Sequence, residues 1–483
     1  MTLSGTATSA SIMEPSITEA LPQLLQRQQQ AFLAQPDPEL AQRLATLQAL
    51  KRALLSTYPQ LLSAMSRDFG HRSDYDSLLA DVLPVLNYLK YCQRNLRRWM
   101  RPQRRHSGLL LAPSNIKVHY QPKGVCGIIV PWNFPVMLSL SPLISALAAG
   151  NRVMLKLSEF TPQTNQILRQ LLAQAFDETQ VAVIEGDAKI AAAFAALPFD
   201  HLLFTGATSI GKSVMQAAAN NLTPVTLELG GKSPAIIADD MPLAVAVERL
   251  LYGKTLNAGQ TCVAPDYILC PQHKVAEFVR QWQTAFQQMY PDFAHNTDYS
   301  FIINDRHQQR LLGLLDDATA KGATGVPASG DLENFKQQRQ WPTILLTGVT
   351  DDMSVMQQEI FGPLLPIIGY QTVEQALDYI RQRPRPLALY LLTFDPQLQQ
   401  QLLQQTHSGG VCINDSLYHV AADDAPFGGV GSSGMGHYHG VEGFREFSHA
   451  RTVLAKGRLN PAKLMQPPYR RWWQKLLLRY LLR

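Results

Sequence analysis

The chain has no Lys or Arg before Arg27, only five cysteines in 483 residues, and charged side chains at just 17% of its positions. A start without cations shows neither the basic opening of a secretory signal peptide nor an Arg-rich transit peptide. Five cysteines without regular spacing argue against a disulfide framework and for a reducing, cytoplasmic compartment. From Gly124 to Asn151 there is no charge for 28 positions, a length that could cross a bilayer. Pro131, Pro135 and Pro142, with Asn133, break a spanning helix there, so the run reads as strand, loop and buried helix. No repeat of fixed period is visible, and the glutamines are scattered over apparent helix faces.

Hydrophobic residues make up 46% of the chain, and its length implies about two or three domains. The net charge of +5 is uneven: residues 451–483 hold nine Lys or Arg and no acid, which leaves the remainder near −4. A second basic cluster, Arg94, Arg97, Arg98, Arg101, Arg104 and Arg105, reads as a solvated helix face. Without a stacking platform or a known binding motif, it does not point to nucleic acid.

Residues 17–100 place apolar side chains at helical spacing, as in Leu44, Leu47, Leu50, Leu54 and Leu55, with Ser73 or Asp74 as a cap for a further helix. From Gly124 short β-rich runs alternate with helices: strands over 125–130, 152–157, 181–184, 201–204 and 225–227, helices over 137–149, 162–176 and 210–219. Such succession implies a parallel, helix-covered sheet. After Gly230-Gly231 a second α/β region begins, with a strand over 234–237 and a helix over 243–256 that enters the loop carrying Cys262.

In that loop, Asn257-Ala-Gly-Gln-Thr-Cys262, Cys262 lies 34 residues after Glu228 of Glu228-Leu-Gly-Gly-Lys232, and this pairs a candidate thiolate nucleophile with a candidate base. Taken alone, a free cysteine is more often a buried core residue. Gly206-x4-Gly211 follows a strand and opens a helix, which offers N–H groups to a pyrophosphate or simply makes a tight turn. Asn133 sits in an apolar loop and needs a partner, either backbone or a substrate oxyanion. Cys270 and Cys412 fall on strand-like alternation and read as core. His437 and His439 lack further ligands at metal spacing, and no metal is assigned.

Pro131-Trp132-Asn133-Phe134-Pro135, Lys156-Leu-Ser-Glu159, Phe204-Thr-Gly206-Ala-Thr-Ser209-Ile-Gly211 and Glu359-Ile-Phe361-Gly-Pro363 stand in the order and spacing of the aldehyde dehydrogenase superfamily. The resemblance covers roughly residues 30 to 460. Gly259 to Cys270 and Pro426 to Gly440 resemble the class 3 branch, and His437-Tyr-His-Gly-Val-Glu-Gly-Phe444 its bacterial coniferyl aldehyde dehydrogenases. The resemblance implies an α/β, aldehyde dehydrogenase-like fold. A Rossmann-type NAD-binding domain would comprise 1–105 and 124–230, a catalytic domain 231–410, and a bridging, oligomerising segment 106–123 with 411–460, followed by a basic tail over 461–483. It further implies a homodimer, with the stretch from Leu109 to Tyr120 pairing between subunits. Cys262 would add to an apolar aromatic or aliphatic aldehyde, coniferyl aldehyde foremost, with Asn133 and the Cys262 N–H holding the oxyanion. Glu228 would hydrolyse the resulting thioester to the carboxylate. Gly206, Ser209 and Gly211 would turn around the dinucleotide beside Trp132, while Lys156 and Glu159 address the adenosine ribose and Glu359, backed by Phe361, holds the nicotinamide ribose. A carboxylate at the ribose favours NAD, although class 3 relatives accept NADP with a similar glutamate. Phe427 would belong to a glycine-rich loop closing over the substrate.

The tail Tyr469 to Arg483 places Trp472, Trp473, Leu476, Leu477, Tyr480 and Leu481 along one stripe, opposite Arg471, Lys475 and Arg479. As a helix it would be about 22 Å long, too short for the roughly 30 Å hydrocarbon core. It is expected either to dock over the substrate entrance or a partner subunit, or to lie on the inner face of an anionic membrane. Three other readings are carried forward: a membrane-associated long-chain fatty aldehyde dehydrogenase, a non-catalytic relative that keeps the fold, and a cofactor-independent thioesterase using Cys262.

Overall fold

The structure is a computed structural model that describes residues 17–460, 463 and 466–482. Its strands, in chain order, are β1 (Gln103–Arg105), β2 (Asn115–Pro122), β3 (Val125–Ile129), β4 (Arg152–Lys156), β5 (Val181–Ile184), β6 (His201–Gly206), β7 (Val225–Leu229) and β8 (Pro234–Ile237). They continue as β9 (Tyr267–Pro271), β10 (Thr324–Pro327), β11 (Ile344–Thr347), β12 (Leu364–Tyr370), β13 (Ala388–Leu392), β14 (Gly410–Ile413), β15 (Gly434–Met435) and β16 (Ser448–Ala455).

These strands form three sheets. The first has the order β15-β7-β6-β3-β4-β5, parallel except for β15. Its strands are nearly continuous apolar runs such as Val125-Cys-Gly-Ile-Ile129, as expected of strands covered on both faces. Helices Met137–Ala148 and Pro162–Ala175 follow β3 and β4, and Thr208–Ala219 follows β6. The chain therefore winds outward from β3 in two directions, leaving a switch point between β3 and β6 where ligands of open α/β sheets bind. The second sheet, β10-β11-β12-β9-β8-β13-β14, is parallel except for β10. The third, β1-β2-β16, is antiparallel and small.

The long helix Leu40–Phe69 packs on helix Pro162–Ala175 and buries Leu47, Leu50 and Leu54. Leu55, expected on the same stripe, instead faces solvent, because its helical angle carries it past the contact. Ser73 caps the next helix by accepting from Asp76 N at 3.3 Å.

The segment 411–460, read from sequence as one return piece, is shared among all three sheets: β14 adds to the second, β15 to the first and β16 to the third. Sequence order could not reveal this, since strand pairing is non-local. The tail is also divided. In helix Trp472–Leu481, Trp473, Leu477 and Leu481 are partly covered, while Trp472, Leu476 and Tyr480 face outward beside Lys475 and Arg479. Among the described residues no helix is long and apolar enough to cross a membrane.

A Cβ on Gly211 would stand 2.6 Å from Leu229 Cδ2, so this glycine lets helix Thr208–Ala219 lie close on β7. Gly211→Val should destabilise the protein by about 1–3 kcal/mol through overpacking. The measurement is the denaturant midpoint, and an unchanged midpoint would remove Gly211 from this packing role.

Candidate active site

A cleft of about 1090 Å³ opens at the carboxyl ends of β3, β6 and β7, facing the loop that leads into β9. Trp132, Asn133, Gly206, Ser209, Glu228, Cys262, Glu359 and Phe361, far apart in sequence, all line it. Its size lies at the upper end of the roughly 300–1,000 Å³ typical of small-molecule sites.

The Cys262 loop is bent by three successive left-handed residues, Asn257 (φ 52°), Ala258 (φ 54°) and Gly259 (φ 73°). Such backbone costs about 1–3 kcal/mol for a non-glycine residue and persists only where its surroundings hold it. Here Asn257 Nδ2 donates to the carbonyls of Asn133 (3.0 Å) and Gln260 (3.3 Å). Gln260 Nε2 donates to Asn257 O (2.9 Å) and Phe301 O (3.0 Å), and its Oε1 accepts from Ile303 N at 2.9 Å. A Cβ on Gly259 would lie 2.5 Å from Gly362 O, so no larger residue fits there.

Asn133 is anchored at both ends. Its Nδ2 donates to Gln260 O at 3.1 Å, and its carbonyl accepts from Arg72 Nη1 at 2.8 Å. One of the two amide hydrogens is therefore structural, and an amide has a second to offer the cleft. Arg72 is itself fully buried and paired with Asp81 at 2.7 Å, whose other oxygen accepts from Val136 N (3.1 Å) and Met137 N (2.9 Å) at the start of helix Met137–Ala148. Arg72, Asp81, Asn257 and Gln260 were missed as supports of the site. The one trace they leave in sequence is a lone acid, Asp81, among apolar neighbours.

Glu228 is buried, and neither of its carboxyl oxygens has a hydrogen-bond partner among the described residues. Burial first, and then the nearby charge of Glu446, raise it well above the ordinary carboxyl range. Burial, Glu359 and Glu228 push the Cys262 thiol up to about 12. Burial and two nearby carboxyl groups thus favour the protonated thiol over the thiolate expected from sequence.

On the nucleotide side, helix Thr208–Ala219 starts at the cleft with no side-chain cap on its first turn, a suitable cradle for a pyrophosphate. Glu359 is pushed up to about 8, chiefly by burial and then by Asp266, and the Gly231 N–H opposes the shift. A Cβ on Gly230 would stand 2.2 Å from both Glu359 oxygens. The run Glu359 to Phe361 is held in place by Asp266, which accepts from Ile360 N at 2.9 Å and pairs with Lys232, and by Arg310, which donates to Glu359 O at 3.2 Å. Arg310 and His307, on helix Asp305–Ala320, line the cleft as well, and no sequence motif marked them.

Four expected residues do not line this cleft. Gly211 packs against Leu229. Lys156, at the end of β4, donates to Leu157 O (2.7 Å) and Gly186 O (2.8 Å), with Glu159, Asp187 and Glu185 around it, and Glu159 is exposed. Phe427 is buried and stacks on His439, with centroids 5.3 Å apart. Its stretch is no free flap either, since Gly434 and Met435 pair as β15 with Glu228 and Leu227, and Leu229 N donates to Ser433 O at 3.1 Å. Ser432 from that stretch, rather than Phe427, reaches the cleft.

Residues 14–453 match the description of the Aldehyde dehydrogenase family. The chain is 55% identical over 460 residues to a probable coniferyl aldehyde dehydrogenase of Pseudomonas aeruginosa, covering 95% of this chain and 96% of that one. It is 37% identical to a dimeric NADP-preferring aldehyde dehydrogenase of Canis lupus familiaris, covering 92% of this chain and 96% of that one. A solved structure, the substrate-bound state of Staphylococcus aureus AldH, superposes with a TM-score of 0.90 at 35% identity, covering 95% of this chain and 99% of that chain.

Folded Glu228 keeps its proton to higher pH than it does in the unfolded chain. Its contribution to stability is therefore full below the ordinary carboxyl range and falls as pH rises toward the folded value. Glu228→Gln should remove that slope, so the stability of the variant relative to wild type should rise with pH from the acid side. Denaturant midpoints measured across pH read the difference, and parallel curves would contradict the buried, raised carboxyl.

Proposed function

The chain belongs to the aldehyde dehydrogenase family and is an NAD(P)-dependent enzyme acting on aldehydes, and from that premise we propose that it oxidises coniferyl aldehyde, or a similar apolar aromatic aldehyde, to the carboxylate through a thioester on Cys262. The observation that carries this reading is the Glu228 carboxyl, buried and unpartnered in the same cleft as Cys262 and Asn133. Bound NAD supplies the hydride acceptor. The uncapped helix at Thr208, Ser209 beside it and the Glu359 carboxyl framed by Gly230 fit a dinucleotide, with Trp132 and Phe361 walling the same cleft.

Cys262 Sγ bonds to the aldehyde carbon while its proton passes to the Glu228 carboxylate, and the carbonyl electron pair moves onto oxygen. The free amide hydrogen of Asn133 and the N–H of Cys262 receive that oxyanion. Loss of hydride from the carbon restores the C=O bond as a thioester. Once Glu228 has returned its proton to solvent, it takes one from water, whose oxygen attacks the acyl carbon. The C–S bond then breaks, the sulfur takes the proton held by Glu228 to regenerate the thiol, and the acid gives its own proton to solvent and leaves as the carboxylate. The raised proton affinity of Glu228 suits this exchange with a thiol that is itself hard to ionise.

The printed name of the Pseudomonas aeruginosa relative supports coniferyl aldehyde as substrate. Outside the cleft lining, at the end of β4, the acids Glu159, Glu185 and Asp187 around Lys156 would repel a 2′-phosphate reaching that far, which favours NAD over NADP. An intact set of Cys262, Glu228 and Asn133 speaks against a non-catalytic relative. NADH absorbance separates the readings. Wild type should reduce NAD with cinnamyl-type aldehydes faster than with long aliphatic ones, Cys262→Ala should be inactive, and Asn133→Ala should lose about 10²–10³ in kcat. A long-chain preference would select the fatty aldehyde reading, and turnover without NAD the thioesterase reading.

The stretch from Leu109 to Tyr120, expected to pair between subunits, ends in β2, which is paired on both sides within the chain; β16 supports a homodimer instead, since it lies at the sheet edge and exposes Val453 and Leu454, an arrangement that invites pairing with another chain. The outward Trp472, Leu476 and Tyr480, flanked by Lys475 and Arg479, support contact of the tail with an anionic membrane surface. A chain ending after Pro468 should stop sedimenting with phosphatidylserine vesicles. Equal sedimentation of both forms would discard the membrane contact.

A further inference from the structure

Behind Glu228, and on the same face of β7, Thr226 belongs to a line of polar contacts that the chemistry above does not use. Thr226 Oγ1 donates to Glu446 Oε1 at 2.7 Å and meets His201 Nε2 at 2.8 Å, while His201 Nδ1 meets Lys123 Nζ at 3.0 Å. An ammonium only donates, so Nδ1 of His201 is the acceptor. Burial, and then Lys123, hold this imidazole well below its ordinary value, so it is neutral and carries its hydrogen on Nε2, toward Thr226. Each bond therefore donates in one direction, from Lys123 through His201 and Thr226, and the line ends on the Glu446 carboxylate.

Glu446 closes helix Gly440–Glu446, and its side chain is 30% exposed. Two glycines separate it from Glu228. A Cβ on Gly436 would stand 2.9 Å from Glu446 Oε1, a Cβ on Gly428 would stand 3.1 Å from Glu228 Oε1, and the Gly436 carbonyl lies against Gly428. Bare backbone thus runs between the two carboxyl groups, where side chains would hold them further apart. The other titratable groups facing Glu228 are Cys262 from the loop before β9 and Tyr438 from the segment after β15, with His437 against Gly428. Burial pushes both the Cys262 thiol and the Tyr438 phenol upward, so each is neutral around neutral pH. On the far side of Glu446, His201 is neutral and the Lys123 cation lies beyond its ring.

We propose that Lys123, His201 and Thr226 clamp Glu446 as a fixed negative charge behind Glu228, and that this charge sets the pH at which Glu228 becomes the general base of thioester hydrolysis. The inference rests on the reading of Glu228 as that base. A fixed anion close by in a water-poor region disfavours a second ionised carboxyl, and a carboxyl with higher proton affinity is the stronger base once ionised. The clamp matters because Glu446, already partly exposed, would otherwise turn into water, which screens its field. These four are positioning residues, acting through Glu228 rather than on the reacting atoms.

The test follows carboxylate release from the acyl-enzyme in single turnover with NAD, by chemical quench, from acid to alkaline pH. It compares full-length wild type with Glu228→Gln, Glu446→Gln, Thr226→Val and Thr226→Ser. Glu446→Gln keeps the acceptor for Thr226 and removes only the charge. In Glu446→Gln and Thr226→Val the acid limb should move to lower pH, with release roughly three- to tenfold faster than wild type on that limb, and Thr226→Ser should retain the wild-type limb. The NADH burst reports folded, cofactor-competent enzyme in the Glu446 and Thr226 variants, binding of NAD read by fluorescence quenching reports it in Glu228→Gln, which lacks the acceptor for the thiol proton, and if Thr226→Val loses the burst, the Glu446→Gln profile decides. A limb abolished in Glu228→Gln but unmoved in Glu446→Gln overturns the proposal alone. A limb that persists in Glu228→Gln overturns the assignment of the base, and the proposal with it.

Discussion

The gathering of two carboxyl groups and one thiol, buried or half-buried, in a single cleft is the constraint on which the rest of this structure depends. Glu228, Cys262 and Glu359 are all pushed toward their neutral forms, and for each the largest cause is burial. In bulk water none would be more than an ordinary side chain. Placed together, Glu359 and Glu228 both add to the upward shift of Cys262, while the charge of Glu446 adds to that of Glu228 and the charge of Asp266 to that of Glu359.

Holding such groups close requires a rigid frame, because burial of polar atoms is costly unless their neighbours are satisfied. The frame is built from residues with no part in the chemistry. Arg72 ties the carbonyl of Asn133 to Asp81 and thereby to the first turn of helix Met137–Ala148. Asn257 ties the left-handed turn before Cys262 to the same carbonyl, and Gln260 O accepts from Asn133 Nδ2. Loops from the first and second sheets are thus joined by a few buried hydrogen bonds, and glycines at 230, 259, 428 and 436 admit contacts that a Cβ would block. Both oxygens of Glu228 lack a partner among the described residues, as do Arg72 Nε and Asn257 Oδ1 within the frame itself.

Much of the site was legible before any coordinates, since motifs of small and polar residues mark places where backbone must approach a ligand. Asn133, Glu228, Cys262, Gly206, Ser209, Glu359, Trp132 and Phe361 were all expected together, and the cleft gathers them. Phe427 was misread because its aromatic ring suggested a contact with substrate, whereas its partner is His439. Arg72, Asp81 and the line from Lys123 to Glu446 left no motif. Their meaning lies in contacts between residues as many as 220 positions apart.

Sequence alone determined the βα alternation and the switch from a first to a second α/β region, because periodicity and local turn chemistry act over a few residues, and its resemblance to a family marked Cys262 and Glu228 as candidate nucleophile and base. Only the tertiary structure decided how the segment 411–460 divides among three sheets, which face of the tail is covered, and which carboxyl groups come near the Cys262 thiol and push it upward. Strand pairing and desolvation are set by groups brought near from distant parts of the chain, and no local pattern encodes that proximity.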